Sequence, residues 1–309
     1  MAAITAAMVK SFRDKTGLPM MECKKALEEA EGNEELAIEL IRKAGKKTME
    51  KRSDRETEAG RIAVCSANGV TAMVELLCES APVANTVEFQ ALIANIAKQL
   101  AEGPGAATPE ELLAQGDLQL QFDDLVNKIR EVFKLSRICR VEGAAGSYVH
   151  FNNVDGVVVA VEGDNAALAE QIAMHICAMN PKAVSADDLD PEVLAKEREI
   201  AVEQTRQQQA GKPENIIEKI VEGRIKTYLK EVCLLDQPFM IDTTKTVGQV
   251  ATEGGLTIKS FTHWIMDTPV SFLWHPFLWE ASRILMQAAF TEKADTSSPV
   301  SDMKRKMGS

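Results

Sequence analysis

Four histidines and six cysteines are the first residues to ask about a metal site or a nucleophile–base pair, and their spacing supports neither chemistry. His150, His175, His263 and His275 stand far apart, so no two share a helix face at metal-ligand spacing. Cys23, Cys65, Cys78, Cys139, Cys177 and Cys233 contain no C-x-x-C pair. That scatter fits small buried side chains in a reducing compartment, not a disulfide framework or a zinc site. No G-x-S-x-G is present, and no Gly-rich phosphate loop follows a strand. The expectation is a protein that is not an enzyme, with no catalytic residue, no metal and no cofactor. What the chain does offer is binding chemistry, beginning with the apolar run Leu18-Pro19-Met20-Met21. Two readings of these methionines stand at this point. They tuck into a helical bundle, or they present an adaptable contact surface, since methionine repacks readily against a partner.

Composition narrows the partners. The chain has 309 residues, enough for two or three modules, and a net charge of −11. A nucleic-acid binder needs a basic surface to displace counterions, so nucleic acid is not expected. No stretch of about 18 apolar residues is present, so no membrane span is expected. The first residues lack the apolar core and small-residue cleavage site of a secretory signal, which makes the cytoplasm the expected location.

The elements that must position the binding residues follow from periodicity. Residues 1–55 read as three short helices. Thr5 caps the first, which buries Met8, Val9 and Phe12 and stops at Gly17; the second begins after Pro19. Asn33 caps the third, with Leu36, Ala37, Leu40 and Ile41 inside and Gly45 closing it. Residues 46–58 are a charged linker or a frayed extension of that helix. From Gly60 the pattern becomes strand-like and turns at Asn68-Gly69, a hairpin signal. Phe89, Ile93, Ile96 and Leu100 mark the next helix. Thr108-Pro109-Glu110-Glu111 opens another, and Leu125, Ile129 and Phe133 mark a third. Ser136 to Val141 reads as a further strand.

The stretch Gly146–Gly163 resembles Gly60–Leu76, with Gly156 matching Gly69 at the turn, and each is followed by a helix, the second carrying Leu168, Ile172 and Ile176. Two related α+β subdomains are therefore expected. Residues 185–226 then read as two helices broken at Gly211. The second starts at Pro213, and Ile216, Ile217, Ile220, Val221, Ile225 and Leu229 form its apolar face. Its apolar base and polar tip predict a projecting antiparallel hairpin.

Three stretches carry a resemblance: FRDKTGLPMMECKKALEEAEGNEELAIELIRKAG, GSYVH with NVDGVVVAVEG, and AGKPENIIEKIVEGRIK through LLDQPFM. Over roughly residues 2 to 262 the chain resembles the elongation factor Ts family, the guanine nucleotide exchange factors for elongation factor Tu. The resemblance implies an α+β protein. It would have a ubiquitin-associated-like three-helix module (1–55), a duplicated core (56–142, then 143–184 with 227–290) of antiparallel strands, and a projecting coiled-coil hairpin (185–226). Residues 291–309 are expected to be a disordered tail. The implied partner is elongation factor Tu bound to GDP, whose Mg²⁺ and phosphate site would be disturbed so that GDP leaves and GTP rebinds. A second copy of the chain would associate through the hairpin or the C-terminal region.

Motif by motif, the resemblance implies that Arg13, Met20, Met21 and Lys24 face the nucleotide domain of Tu. His150, in the Tyr-x-His of GSYVH, would lie near that domain, while Met240 and Ile241 would meet another one. From the residues alone, Met240 and Ile241 read as a core strand. In the family the loop after the second core strand usually reads Thr-Asp-Phe-Val-Ala, and its Asp-Phe pair is the wedge at the Mg²⁺ site. This chain has Ser80, Ala81, Pro82 and Val83 there, lacking both carboxylate and ring. That departure motivates a second expectation, a Tu-binding chaperone or sequestering protein with weak exchange. The family wording also ends after Phe261-Thr262. The aromatic-rich segment that follows contains Trp264, Trp274 and Trp279.

Overall fold

The computed structural model describes residues 4–50, 52, 54–209 and 213–266. The expected break at Gly211, Trp274, Trp279 and the tail 291–309 lie outside the described residues. The described chain mixes helices with two antiparallel three-stranded sheets, an α+β architecture. It divides into two compact units, 4–162 with 261–266, and 163–260.

The first unit opens with α1 (Ala6–Thr16), α2 (Met20–Glu29) and α3 (Glu34–Glu50). Thr5 accepts the Met8 N–H, Gly17 closes α1 at φ 69°, and Asn33 accepts the Leu36 N–H, as their residue types predict. Val9, Phe12, Leu18, Cys23, Ala26, Leu27 and Ala37 make the bundle core. Two expectations fail here. Leu36 is exposed, its inward place taken by Ile38. Gly45 does not end α3, which continues to Glu50. A Cβ at Gly45 would fall on the Asn127 side chain, so this glycine marks a close approach rather than a helix stop.

Strands β1 (Ala59–Ala67) and β2 (Val70–Cys78) join through Asn68-Gly69, both at positive φ, the twist-matched turn that this dipeptide favours. Strand β3 (Lys134–Glu142) pairs antiparallel with β2 and completes the sheet, matching the strand expected at 136–141. Next come α4 (Ala81–Ala84), α5 (Val87–Glu102), α6 (Pro109–Leu113) and α7 (Leu118–Ile129). Phe89, Ile93, Ile96 and Leu100 of α5 are buried with Val74, Leu76, Leu112 and Leu135, as the spacing predicts. Thr108 caps α6 through the Glu111 N–H. Phe133, expected on the third helix, lies past the end of α7 and packs edge-on against Phe89 and Phe122.

Strands β4 (Ala145–Val149), β5 (Asp155–Glu162) and β6 (Thr257–Ile265) form the second sheet in that order. Ile62, Met73, Val158 and Met266 are buried together beside it. Gly156 does not occupy the turn that the hairpin comparison gave it; it lies within β5, opposite Val149. The five residues 150–154 make the turn. A Cβ on Gly156 would meet Ile62 Cγ2 at 2.6 Å, so this position is glycine because another strand passes close.

The second unit contains α8 (Ala166–Met179), α9 (Pro191–Gln208), α10 (Glu214–Val232) and α11 (Val247–Glu253). Leu168, Ile172 and Ile176 of α8 are buried as expected. α9 and α10 share a seam of Ala201, Ile217, Val221 and Ile225, flanked by Leu194, Val202 and Leu229. This seam is narrower than the predicted apolar face, because Ile216 is exposed. Arg206 to Glu214 at 2.5 Å and Arg224 to Gln208 and Gln204 tie the two helices in antiparallel register.

Candidate functional site

At the start of α2, Met20 is 47% and Met21 64% exposed. The inner face of that helix is Cys23, Ala26 and Leu27, which follows from helical spacing once Pro19 starts the turn. Of the two readings of these methionines, presentation to solvent is the one the structure shows. Arg13, in the last turn of α1, is exposed as well. Lys24 is exposed and pairs one turn on with Glu28 at 3.6 Å. The result is an apolar pair on the same three-helix bundle as two cations, a composition suited to a protein partner.

Ser80 precedes α4, a single turn with Ala81 and Pro82 at its exposed start. Glu131 holds Ser80 twice, accepting its Oγ at 2.6 Å and its N–H at 3.1 Å. Cys78 donates to the Ser80 carbonyl at 3.3 Å, and burial pushes its thiol up to about 11, so it stays protonated. Val83 packs against the α5 core. The segment expected to be a loop is therefore a pinned turn whose outer edge is Ala81 and Pro82. It presents neither a charge nor an aromatic ring.

The third group centres on His150, which is buried. Its backbone N–H donates to the Asp155 carbonyl at 2.9 Å, and its ring Nδ1 lies 3.3 Å from the Tyr148 hydroxyl. Burial holds its pKa below the ordinary histidine value despite the opposing charge of Asp155, which favours a neutral ring near pH 7. Beside it, with ring centroids 4.3 Å apart and planes tilted by 52°, is Phe151, 80% exposed. Sequence reasoning did not single out Phe151. The signal was there in a lone aromatic followed by Asn152-Asn153, with Asn153 at φ 58°. His263 bonds Asp155 at 2.9 Å and so serves the same turn.

In the second unit Met240 and Ile241 form a bend, not the strand that their composition suggested. Met240 is buried, leaving Ile241 as the exposed member of the pair. Beneath them lies His175, also missed from sequence. Its Nδ1 accepts the Met240 N–H at 3.2 Å, which leaves Nε2 as the protonated nitrogen, donating to Gln237 Oε1 at 3.0 Å. Burial pushes its pKa down to about 4, against the Gln237 bond that raises it.

Each of these groups presents at least one exposed side chain: Met20 and Met21, Ala81 and Pro82, Phe151, and Ile241. No helix of the described residues is long and apolar enough to cross a membrane.

Comparison with known proteins identifies relatives over most of the chain. Residues 82–267 match the family model described as elongation factor TS. The chain is 42% identical over 266 residues to elongation factor Ts of Cellvibrio japonicus, covering 84% of this chain and 90% of that protein. It is 41% identical over 270 residues to that of Corynebacterium jeikeium, covering 84% and 97%. The factor of Ralstonia nicotianae is 42% identical over 271 residues, covering 86% and 91%. From the family match and these relatives, the chain belongs to the elongation factor Ts family of translation elongation factors.

Proposed function

We propose that this protein binds elongation factor Tu carrying GDP and speeds release of the nucleotide, acting as a cytoplasmic exchange factor without chemistry of its own. The observation that carries this reading is the exposure of Met20 and Met21 on a folded bundle, in a chain of this family. Two adjacent exposed methionines suit a partner interface, where their flexible side chains repack readily. Arg13, Lys24, Ala81, Pro82, Ile241 and the surface over His150 complete the proposed contact set. Met240 contributes by holding Ile241 outward. The three-helix bundle is read as the ubiquitin-associated-like module and the α9–α10 pair as the coiled-coil hairpin. The energetic logic is linkage: a factor that favours nucleotide-free Tu weakens GDP binding by the factor by which GDP weakens its own.

A second reading is favoured by one observation, the neutral edge of Ala81 and Pro82. A factor without the carboxylate and ring would bind Tu yet release GDP slowly, acting as a chaperone or sequestering protein. Release of a fluorescent GDP from Tu at sub-stoichiometric amounts of this protein separates the two. Multiple turnovers support exchange; release only at stoichiometric amounts supports sequestration.

A further inference from the structure

The bend that follows α7 makes more long-range polar contacts than its length requires. Arg130 sits at φ 67°, the left-handed region that a non-glycine residue occupies only when its surroundings demand it. Its N–H closes α7 on the Val126 carbonyl at 2.7 Å. Its guanidinium pairs with Glu22, the residue after Met21. Its carbonyl accepts the Arg52 guanidinium at 3.1 Å. The next residue, Glu131, holds Ser80 by side chain and backbone. The next again, Val132, donates its N–H to Glu79 at 2.8 Å, and the other oxygen of Glu79 pairs with Arg55 at 3.0 Å. Three consecutive residues thus bond to the first turn of α2, to the segment entering α4 and to residue 52 of the linker.

We infer that the Arg130–Glu131–Val132 bend is a positioning element that sets the Met20–Met21 turn and the Ser80–Val83 turn in one fixed relation, so that contact at one presents the other. The inference rests on the reading that both turns meet Tu. The α3–α7 crossing, with the bidentate Arg42–Asp124 pair at 2.7 and 2.8 Å, already seats the bundle on α7. What the bend adds is control of the one turn of α2 that carries the methionines. Bidentate capture of Ser80 by a carboxylate is the stiffer half of the link, because two charge-assisted bonds, the hydroxyl one short at 2.6 Å, fix both side chain and backbone of the residue. The Arg130–Glu22 pair is the softer half, exposed and open to screening by salt.

The test is a double-mutant cycle on Tu binding with the full chain. Met20→Ala with Met21→Ala weakens one turn and Pro82→Ala the other, and the cycle is measured with Arg130 intact and with Arg130→Gly. Glycine accepts φ 67° freely, so this change removes the guanidinium while keeping the bend, and the thermal midpoint should stay where it was. With Arg130 present the two sets should be non-additive by about threefold to tenfold in affinity, falling toward unity in high salt. With Arg130→Gly the factor should be near one at all salt concentrations. The charge reversal Glu22→Arg with Arg130→Glu should restore it. Equal coupling in both backgrounds overturns the positioning role while leaving the partner reading intact. If neither the methionine pair nor Pro82→Ala changes affinity at all, the partner reading itself falls, and the positioning role with it.

Discussion

Nδ1 of His175 accepts the backbone N–H of Met240 at 3.2 Å, so the exposed bend at Ile241 hangs on an imidazole that must stay neutral. Protonation would turn that acceptor into a donor facing another donor. In the unfolded chain the histidine titrates near its ordinary value of 6.5, while in the fold it is held at about 4. The folded state therefore binds fewer protons between these values. Stability from His175 is fully present above pH 6.5 and is lost as pH falls toward 4, by about 3 kcal/mol in total. His150 is lowered too and contributes with the same sign. Urea denaturation between pH 7.5 and 4.5 should show a shallower loss for His175→Phe than for the unmodified protein. Equal slopes would mean the imidazole is not held neutral by burial.

Replacing Met20 and Met21 together by alanine should cost about 1–3 kcal/mol of Tu affinity, in the range of interface anchors. Both side chains are largely exposed, so the thermal midpoint should move little. Calorimetric titration against Tu, paired with a melting curve, checks both halves. A lowered midpoint with unchanged affinity would return the methionines to the bundle core.

Gly156→Ala should destabilise the first unit by about 1–3 kcal/mol, because the new Cβ would sit 2.6 Å from Ile62 Cγ2 in a packed interior. Pairing it with Ile62→Val, which keeps the clashing γ-methyl, should rescue little; Ile62→Ala should rescue more of the clash. Additive losses in that pair would show that the contact is not what requires glycine.

How much of this was legible in the sequence depends on how far apart the interacting residues lie along the chain. Caps at Thr5, Asn33 and Thr108 act within three residues, and each is found where local spacing put it. Glycines were the opposite case. Gly45 and Gly156 read as a helix stop and a turn because those are the commonest uses of glycine. The structure shows both serving close approach to a segment far off in sequence, which no local pattern reveals. The same holds at the candidate site. The Met20-Met21 pair is legible as an apolar run between two helices, but its direction, into the bundle or out to solvent, is set by the packing of Cys23, Ala26 and Leu27 and not by the run itself. The clamp of Glu131 on Ser80 spans 51 residues and leaves no local trace. His175 was hidden among the apolar residues of α8, where its only distinguishing feature is two partners 62 and 65 residues away.

Ala81→Asp with Pro82→Phe should raise the rate at which this protein releases GDP from Tu. The pair introduces a charge able to compete for groups around Mg²⁺ and a rigid apolar body. Both positions are exposed, so the protein's own stability should change by less than about 0.5 kcal/mol. No gain in rate would mean that the neutral edge is not what limits release, leaving the Met20–Met21 and His150 surfaces as its source.

The central claim, that this chain binds elongation factor Tu and loosens its nucleotide, is tested most directly by stopped-flow release of a fluorescent GDP from Tu. The account predicts a release rate that rises with the concentration of this protein and saturates, with each molecule serving many Tu molecules when unlabelled nucleotide is in excess. A release rate identical with and without this protein, at concentrations where a stable complex with Tu is also undetectable, would contradict it.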